Sequence, residues 1–515
     1  MNSRQLINYW QRGDDKRFSS QINCMNIFSV FILVACTICS FFLLLYGLNT
    51  YFIIYLFLRT FKSGKATDEA CELKHAGRFG TPDALPVVTT QIPLYNEINV
   101  AERVIRAVAG IDYPQSRHEI QILDDSDDET CALVDAVAAE LKAAGYLITV
   151  FRRDDRIGYK AGALEAGMAV CQGEYIAIFD SDFIPPKDFL RRTLPHLWEN
   201  DRCGLVQARW DHLNQEKSWL TRAQAMGVDG HFVVEQAARN RNGLFMNFCG
   251  TAGIWRRTAI EESGGWQHDT ITEDLDLSYR AQLGGWTFHY LPDLLVPAEL
   301  PESYSAFKSQ QYRWAKGSIQ TARKLLPRLW TAKIPFIQKI EGTVHLTQYV
   351  LHFLMAVLAL LLFPLVLNFQ DGIAHYRSDF FFWLLLPAAV GPSIGYIVCQ
   401  YCIHPNSWRA RVARLPFLLL VGFGICLSNA NAVLEGAFGN DNTFVRTPKS
   451  GEKNVKQYLV KRNWVPQFEV LLSLYCAVTI AALGYLGQFA LIPFVMIYAM
   501  GFGLIGLNSL REARA

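Results

Sequence analysis

The sequence predicts a Rossmann-like α/β domain inserted in a polytopic α-helical membrane protein, and three observations carry that expectation. Of its 515 residues, 51% are apolar and only 19% charged, against about 25% charged in ordinary soluble domains, and mean hydropathy is positive at +0.12. The apolar residues are bunched into nearly uncharged tracts at about 27–58, 346–367, 378–403, 415–428, 468–486 and 488–508; a helix of roughly 20 such residues crosses a bilayer core. Between these tracts, from about 60 to 345, short β-branched runs alternate with Ala-rich helical stretches, the pattern of a doubly wound sheet. Disordered, collagen-like and disulfide-rich secreted classes are excluded. A net charge of +2 supplies no global field for nucleic acid.

Taken in order, residues 1–60 read as a polar tail and an uncleaved transmembrane anchor, whose apolar tract is too long for a signal-peptide core. Residues 61–303 read as a cytosolic α/β domain with strands at Val87–Ile92, Glu119–Leu123, Leu147–Phe151 and Glu174–Phe179. Over 304–343, Lys308, Arg313, Lys316, Arg323, Lys324, Arg328, Lys333 and Lys339 interleave with Phe307, Trp314, Leu325, Leu326 and Trp330, and Tyr304 to Ile340 holds no acidic residue. This predicts an amphipathic helix on an anionic membrane surface. Residues 344–404 read as a transmembrane hairpin, and 464–515 as a second hairpin with a C-terminal tail. Between them, 405–463 carries basic clusters at Arg409, Arg411 and Arg414 and from Arg446 to Arg462. Both belong on the cytosolic side, so the tract 415–437, with Asn429, Asn431 and Glu435, is expected to be re-entrant or interfacial. The count is five spans in a plasma or inner membrane, with the α/β domain on the cytosolic face. The pairs Cys36/Cys39 and Cys399/Cys402 lie in apolar tracts and read as small buried residues rather than a zinc or redox site.

Three predicted strands end in polar clusters: Pro93 to Glu97, Asp124 to Asp128, and Asp180-Ser181-Asp182. Ligands bind at the carboxyl ends of parallel strands, so these clusters are expected to line one crevice. Asp180 and Asp182 can hold Mg²⁺ or Mn²⁺ against a diphosphate, or cap a helix after Pro185-Pro186. Asp124 and Asp125 can accept hydrogen bonds from a base or ribose, or serve a turn. In Gly158 to Ala163, small residues admit a close backbone and Lys160 can neutralise phosphate, although the Gly-Lys-Ser/Thr ending of a Walker loop is absent. Within Thr272-Glu273-Asp274 a carboxylate can act as general base, or the acids can belong to a helix's first turn. Gln310, Arg313 and Trp314 stand at i, i+3 and i+4 and share a helix face, where a guanidinium fork suits a diphosphate and an indole suits a sugar ring.

In this order on one chain, these segments resemble the Asp, Asp-x-Asp, Thr-Glu-Asp and Gln-x-x-Arg-Trp series of family 2 inverting glycosyltransferases in the cellulose synthase superfamily. The stretches Phe248 to Arg256 and Glu262 to Trp266 are similar to those of the cellulose synthase-like mannan and glucan synthases. The likeness is dense over about 85–330. It implies a GT-A nucleotide-sugar-binding domain in which Tyr95, Glu97, Asp124 and Asp125 hold the nucleoside and Lys160 the base or diphosphate. It further implies that Asp180 and Asp182 hold Mg²⁺ or Mn²⁺ against the diphosphate and that Asp274 is the general base. Cys249, Gly250, Thr251 and Trp314 would form the acceptor site, and Gln310 and Arg313 would brace the leaving group. Phe444, Thr447 and Lys449 resemble a gating loop, with Arg446 departing from its pattern. The activity implied is processive synthesis of a β-linked hexose polymer, with 1,4 linkage expected, from UDP-glucose or GDP-mannose. The polymer would cross the membrane past aromatics such as Tyr349, His352 and Phe353. Expected partners are the donor, the growing polysaccharide, the bilayer and accessory export subunits, with no nucleic acid. The alternatives are a non-processive transferase using a lipid-linked acceptor, a transporter, and a catalytically silent scaffold.

Overall fold

A 49-residue helix, α1 (Ile27–His75), opens the described chain; at 1.5 Å per residue it is about 74 Å long. The computed structural model describes residues 27–367, 374–439, 451 and 464–513. The helix continues unbroken past the expected boundary at 60, because Lys62 to His75 contain no Pro and only one Gly to stop it. It thus joins the membrane region to the α/β domain as one rod.

The domain runs β1 (Val88–Leu94), α2 (Ala101–Ala109), β2 (His118–Asp124), α3 (Thr130–Ala143), β3 (Leu147–Phe151), α4 (Tyr159–Val170) and β4 (Tyr175–Ile178). It continues with α5 (Phe189–Glu199), β5 (Cys203–His212), α6 (Trp219–Asp229), a π-helical turn (Gly230–Gln236), α7 (Ala237–Arg241), β6 (Gly253–Arg256), α8 (Arg257–Glu262), α9 (Glu273–Leu283) and β7 (Thr287–Ala298). The seven strands form one sheet in the order β3-β2-β1-β4-β6-β5-β7. The first four strands pair in parallel, with Leu94 beside Asp124 at the β1–β2 end, and the short β6 is antiparallel to both its neighbours. The sheet is a GT-A-like mixed sheet. Period-2 alternation sends Ile120 and Ile122 to one apolar layer, beneath α2, α3 and α5, and Leu123 to the other. That second layer also holds Ile176, Ile178, Trp255 and, from α1, Ile53, Ile54 and Phe57. The membrane-entering rod is therefore part of the domain's own core.

Beyond the sheet lie α10 (Tyr304–Thr331), α11 (Phe336–Thr347), α12 (Val350–Leu367), α13 (Ala374–Ile403), α14 (Trp408–Val412), α15 (Leu415–Gly424), α16 (Cys426–Phe438), α17 (Val465–Tyr485) and α18 (Ile492–Glu512). Among the described residues, five helices are long and apolar enough to cross a membrane, which fits a membrane protein. A bend of 43° separates the segment ending at Gly424 from α16, in the tract expected to be re-entrant. Leu354, Leu358 and Leu362 of α12 pack with Ile32 and Leu43 of α1 and with Val495 and Phe502 of α18. Cys36, Cys39 and Cys399 are buried and Cys402 half-buried, and no disulfide occurs among the described cysteines.

The basic run after 304 is arranged differently from the expected lipid-facing surface. Lys308 donates to Glu469 of α17 at 2.7 Å, with both residues buried. Lys316 donates to Glu435 of α16 at 3.1 Å. Lys324 pairs with Asp269 at 2.7 Å and Asp276 at 2.9 Å. A buried ammonium demands a carboxylate partner, and the four acids that pair with these lysines come from elsewhere in the sequence. These lysines staple α10 to the membrane helices and to α9 instead of facing headgroups.

Candidate functional site

The carboxyl ends of β1, β2 and β4 open onto one cavity of about 850 Å³. Tyr95, Glu97, Asp125, Lys160, Asp180, Asp182, Cys249, Gly250, Asp274, Gln310, Arg313 and Trp314 all line it. The same cavity continues past Tyr349 and His352 to Leu358, Leu362, Phe494 and Tyr498 of the membrane helices. Phe353 does not line it.

At the end of β2 two adjacent aspartates part company. Asp125 faces the cavity and accepts from Arg153 at 3.1 and 2.5 Å. Asp124 is 1% exposed and does not line the cavity. Its carboxylate accepts from Arg152 at 3.0 and 2.8 Å and from the Ser126 N–H at 3.1 Å. That corrects the expectation for Asp124: it is the last residue of the strand, its pleat turns it inward, and it braces the turn that presents Asp125. Nearby, the Arg156 guanidinium stacks 3.2 Å over the Tyr95 ring, covering that flank of the crevice with a cation–π contact.

Asp180 follows β4 and is held from two sides. Its N–H donates to Thr251 Oγ1 at 2.8 Å, and its carboxylate accepts from Lys160 at 2.6 Å. Lys160 also donates to the Gly250 carbonyl at 2.8 Å. Gly250 sits at φ +81°, and a Cβ there would lie 3.0 Å from Asp274 Oδ2, so both backbone and space require glycine. Thr251 is fully buried and does not line the cavity; it was expected on the acceptor side and instead sets the position of Asp180. Asp182 is 3% exposed yet borders the cavity.

Glu273 and Asp274 open α9. Asp274 Oδ1 accepts from the Leu275 N–H at 2.8 Å, which fixes its rotamer. Burial pushes the Glu273 carboxyl above the usual range, and the Asp274 charge beside it adds to the effect. Burial likewise raises Asp274, opposed by the Lys160 ammonium. On α10, Arg313 is surrounded by the charges of Glu273, Asp180 and Asp274. Trp314 lies beside Trp210, with ring centroids 6.5 Å apart.

A further polar cluster on the cavity wall escaped the sequence reading. In the π-helical turn, His231 Nδ1 is 2.9 Å from Glu235 Oε2, and Arg239 donates to Glu235 Oε1 at 3.0 Å. His231 Nε2 is 3.8 Å from Cys249 Sγ. Polar residues at 231, 235 and 239 inside an apolar helical stretch were the available signal, and a widened helical turn is frequent at functional sites. Phe444, Thr447 and Lys449 lie outside the described residues. Among the described residues, two groups of possible metal ligands occur elsewhere: Asp68 with His196 and His289, and Cys71 with His75 and Glu199.

A family model described as glycosyltransferase-like family 2 matches residues 86–317. Glucomannan 4-beta-mannosyltransferase 2 of Arabidopsis thaliana is 40% identical over 382 residues, covering 71% of this chain and 68% of that protein. Glucomannan 4-beta-mannosyltransferase 7 of the same plant is 34% identical, covering 82% of this chain and 77% of its own. Glucomannan 4-beta-mannosyltransferase 1 of Oryza sativa subsp. japonica is 47% identical over 247 residues, and there the match spans 47% of the relative's length. Among solved structures, the mannosyltransferase PcManGT from Pyrobaculum calidifontis, in complex with GDP-Man and Mn²⁺, is similar with a TM-score of 0.47. That likeness has 18% identity and covers 76% of this chain and all of that one.

Proposed function

The chain belongs to the glycosyltransferase-like family 2, among its cellulose synthase-like hexosyltransferases, and from that premise we propose that it is a processive, inverting β-glycan synthase. The continuity of one cavity from the carboxylates at the sheet end to apolar residues of the membrane helices carries this reading. A polymer extended at the sheet end would have a path away from it. The names of its relatives favour mannosyl transfer with 4-linkage, so GDP-mannose is the proposed donor and UDP-glucose the second candidate.

In the proposed reaction the acceptor 4-hydroxyl lies against Asp274. The carboxylate takes its proton as O4 attacks C1 of the donor hexose, and the C1–O bond to the diphosphate breaks on the opposite face. An α-linked donor thereby gives a β-linked product. Burial raises Asp274 toward neutral pH, where a general base is both ionised and basic enough to accept a proton. Lys160, Gln310 and Arg313 line the same cavity, where they would offset the charge that develops on the leaving diphosphate.

Asp180 and Asp182, cavity-lining carboxylates two residues apart, suit a hard divalent cation such as Mg²⁺ or Mn²⁺, and the surplus of acids there would be relieved by one. When bound, such an ion offsets the charge of the departing diphosphate. Trp314 and Cys249 would contact the acceptor sugar, while Tyr95, Glu97 and Asp125 would contact the nucleoside. The positive-inside pattern favours a cytosolic catalytic face.

The test is to supply full-length protein in nanodiscs with a panel of nucleotide sugars and Mg²⁺ or Mn²⁺. Nucleoside diphosphate release is then measured, and the product is digested with linkage-specific hydrolases. Release from GDP-mannose with a product cleaved by a β-1,4-mannanase supports the reading. Turnover of no nucleotide sugar overturns it, and products of one or two sugars remove processivity.

A further inference from the structure

Asp68 leaves α1 at the level of the sheet, where it meets α5 and β7 on the side away from the catalytic cavity. Asp68 and His196 are 6% and 5% exposed, and His289 is largely covered. The ligand-capable atoms of the three residues lie within 4.8 Å of one another. His289 Nε2 is 3.0 Å from Asp68 Oδ1. The His196 and His289 rings stack at 4.2 Å with an angle of 14°.

One atom in this group has no hydrogen-bond account. His196 Nε2 is buried without a hydrogen-bond partner, and its nearest carboxylate oxygen, Glu72 Oε1, is 3.9 Å away, beyond hydrogen-bond reach. Buried polar atoms are nearly always satisfied, so an exception needs an explanation, and an ion among converging ligand atoms supplies one. Glu72 stands four residues after Asp68 on the same face of α1. A small cavity of about 150 Å³, lined also by Lys65 and Arg192, reaches the two carboxylates from the α1 side. None of these side chains lines the large cavity.

We propose that Asp68, His196 and His289, with Glu72 at the edge, form a transition-metal site of the zinc type that fastens the membrane-entering helix α1 to the sheet domain. Two imidazoles with carboxylates are a donor set for Zn²⁺ rather than for Mg²⁺ or Ca²⁺. Asp68 offers Oδ1 to the site while Arg241 holds Oδ2, the supported-carboxylate arrangement common around metal ligands. Arg192 Nε lies 3.3 Å from both oxygens of Glu72 and holds that carboxylate at the edge of the site. The ligands come from three elements distant in sequence, so an ion here closes long loops and stabilises the junction between rod and sheet. The proposal is independent of the reaction assigned to the catalytic cavity.

The experiment uses full-length protein in nanodiscs, stripped with chelator, dialysed and titrated with Co²⁺ and then Zn²⁺. One equivalent of Co²⁺ should give visible d–d absorption that Zn²⁺ abolishes, and Zn²⁺ should raise the melting temperature by several degrees. His196→Gln and His289→Asn should lose both responses, whereas Asp182→Asn and Cys71→Ser should keep them. Responses surviving in both histidine variants, or lost in Asp182→Asn or Cys71→Ser, overturn the proposal. Should the histidine variants fail to fold, zinc-edge X-ray absorption of the Zn²⁺-loaded wild-type protein decides. Scattering from two imidazoles supports the site, and sulfur ligation or an absence of imidazole scattering overturns it.

Discussion

Lys160 and Asp180 form a 2.6 Å ion pair at the mouth of the strand ends, and the same ammonium reaches the Gly250 carbonyl at 2.8 Å. One side chain thus spans the acidic cluster and the glycine turn packed against Asp274. A charge-assisted bond of this kind is worth about 1.5–3 kcal/mol, on the order of 10- to 100-fold in rate. Lys160→Met should lower kcat/KM by that order, with most of the loss in donor KM, measured by nucleoside diphosphate release.

Asp274→Asn retains shape and the hydrogen bond from Leu275 while removing the basic oxygen. General-base catalysis contributes about 10²–10⁴, so kcat should fall by that order while donor affinity by calorimetry stays within a few-fold. Retained polymer synthesis would take Asp274 out of the base role.

The raised Asp274 carboxyl places the acid limb of the pH–rate profile above the ordinary carboxylate range, with activity rising as it ionises. Since Lys160 holds that carboxyl down, Lys160→Met should move the limb to higher pH. Stability runs the opposite way. Glu273 and Asp274 are raised in the folded state, so their favourable contribution is complete below the unfolded values and is lost as pH rises through the folded ones. Glu273→Gln should therefore melt higher than wild type at pH 8, the difference closing towards pH 5; each unit of elevation corresponds to ~1.4 kcal/mol.

What the sequence disclosed and what it concealed divide along the range of the interactions involved. Period-2 runs and their polar ends located β1 to β4 and the crevice, since side-chain alternation and strand termination are local. Asp124 and Asp125 are chemically identical neighbours, and only the pairing of Leu94 with Asp124 and the inward reach of Arg152 tell them apart. Thr251 looked like a cavity residue because its motif surrounds the cavity, although its hydroxyl serves Asp180 from behind. The lysines of α10 gave a membrane-surface pattern because their carboxylate partners, Glu435 and Glu469, lie more than a hundred residues downstream.

Those distant pairs are themselves testable. Lys308 and Glu469 are both nearly fully buried, so removing one partner leaves a buried charge, at a cost of roughly 3–5 kcal/mol. Glu469→Leu should lower the melting temperature in nanodiscs sharply. The double substitution with Lys308→Met should recover most of it, because a packed apolar pair replaces a buried ion pair at little cost. Additive losses would mean that the two side chains act separately.

Gly422 tests the link between the cavity and polymer export. It lies in α15 on the cavity wall, and a Cβ added there meets no atom within 4 Å. Gly422→Trp can therefore project an indole into the open volume without displacing its neighbours, among the apolar wall formed with Leu358, Leu362, Phe494 and Tyr498. The carboxylates and Lys160 are untouched, so donor affinity and the first transfers should match wild type. A hydrated glycan threading this passage would be stopped by the indole, and product length by size-exclusion chromatography should collapse to short oligosaccharides. Full-length polymer from Gly422→Trp would mean that the chain leaves by another route and that the membrane end of the cavity serves packing alone.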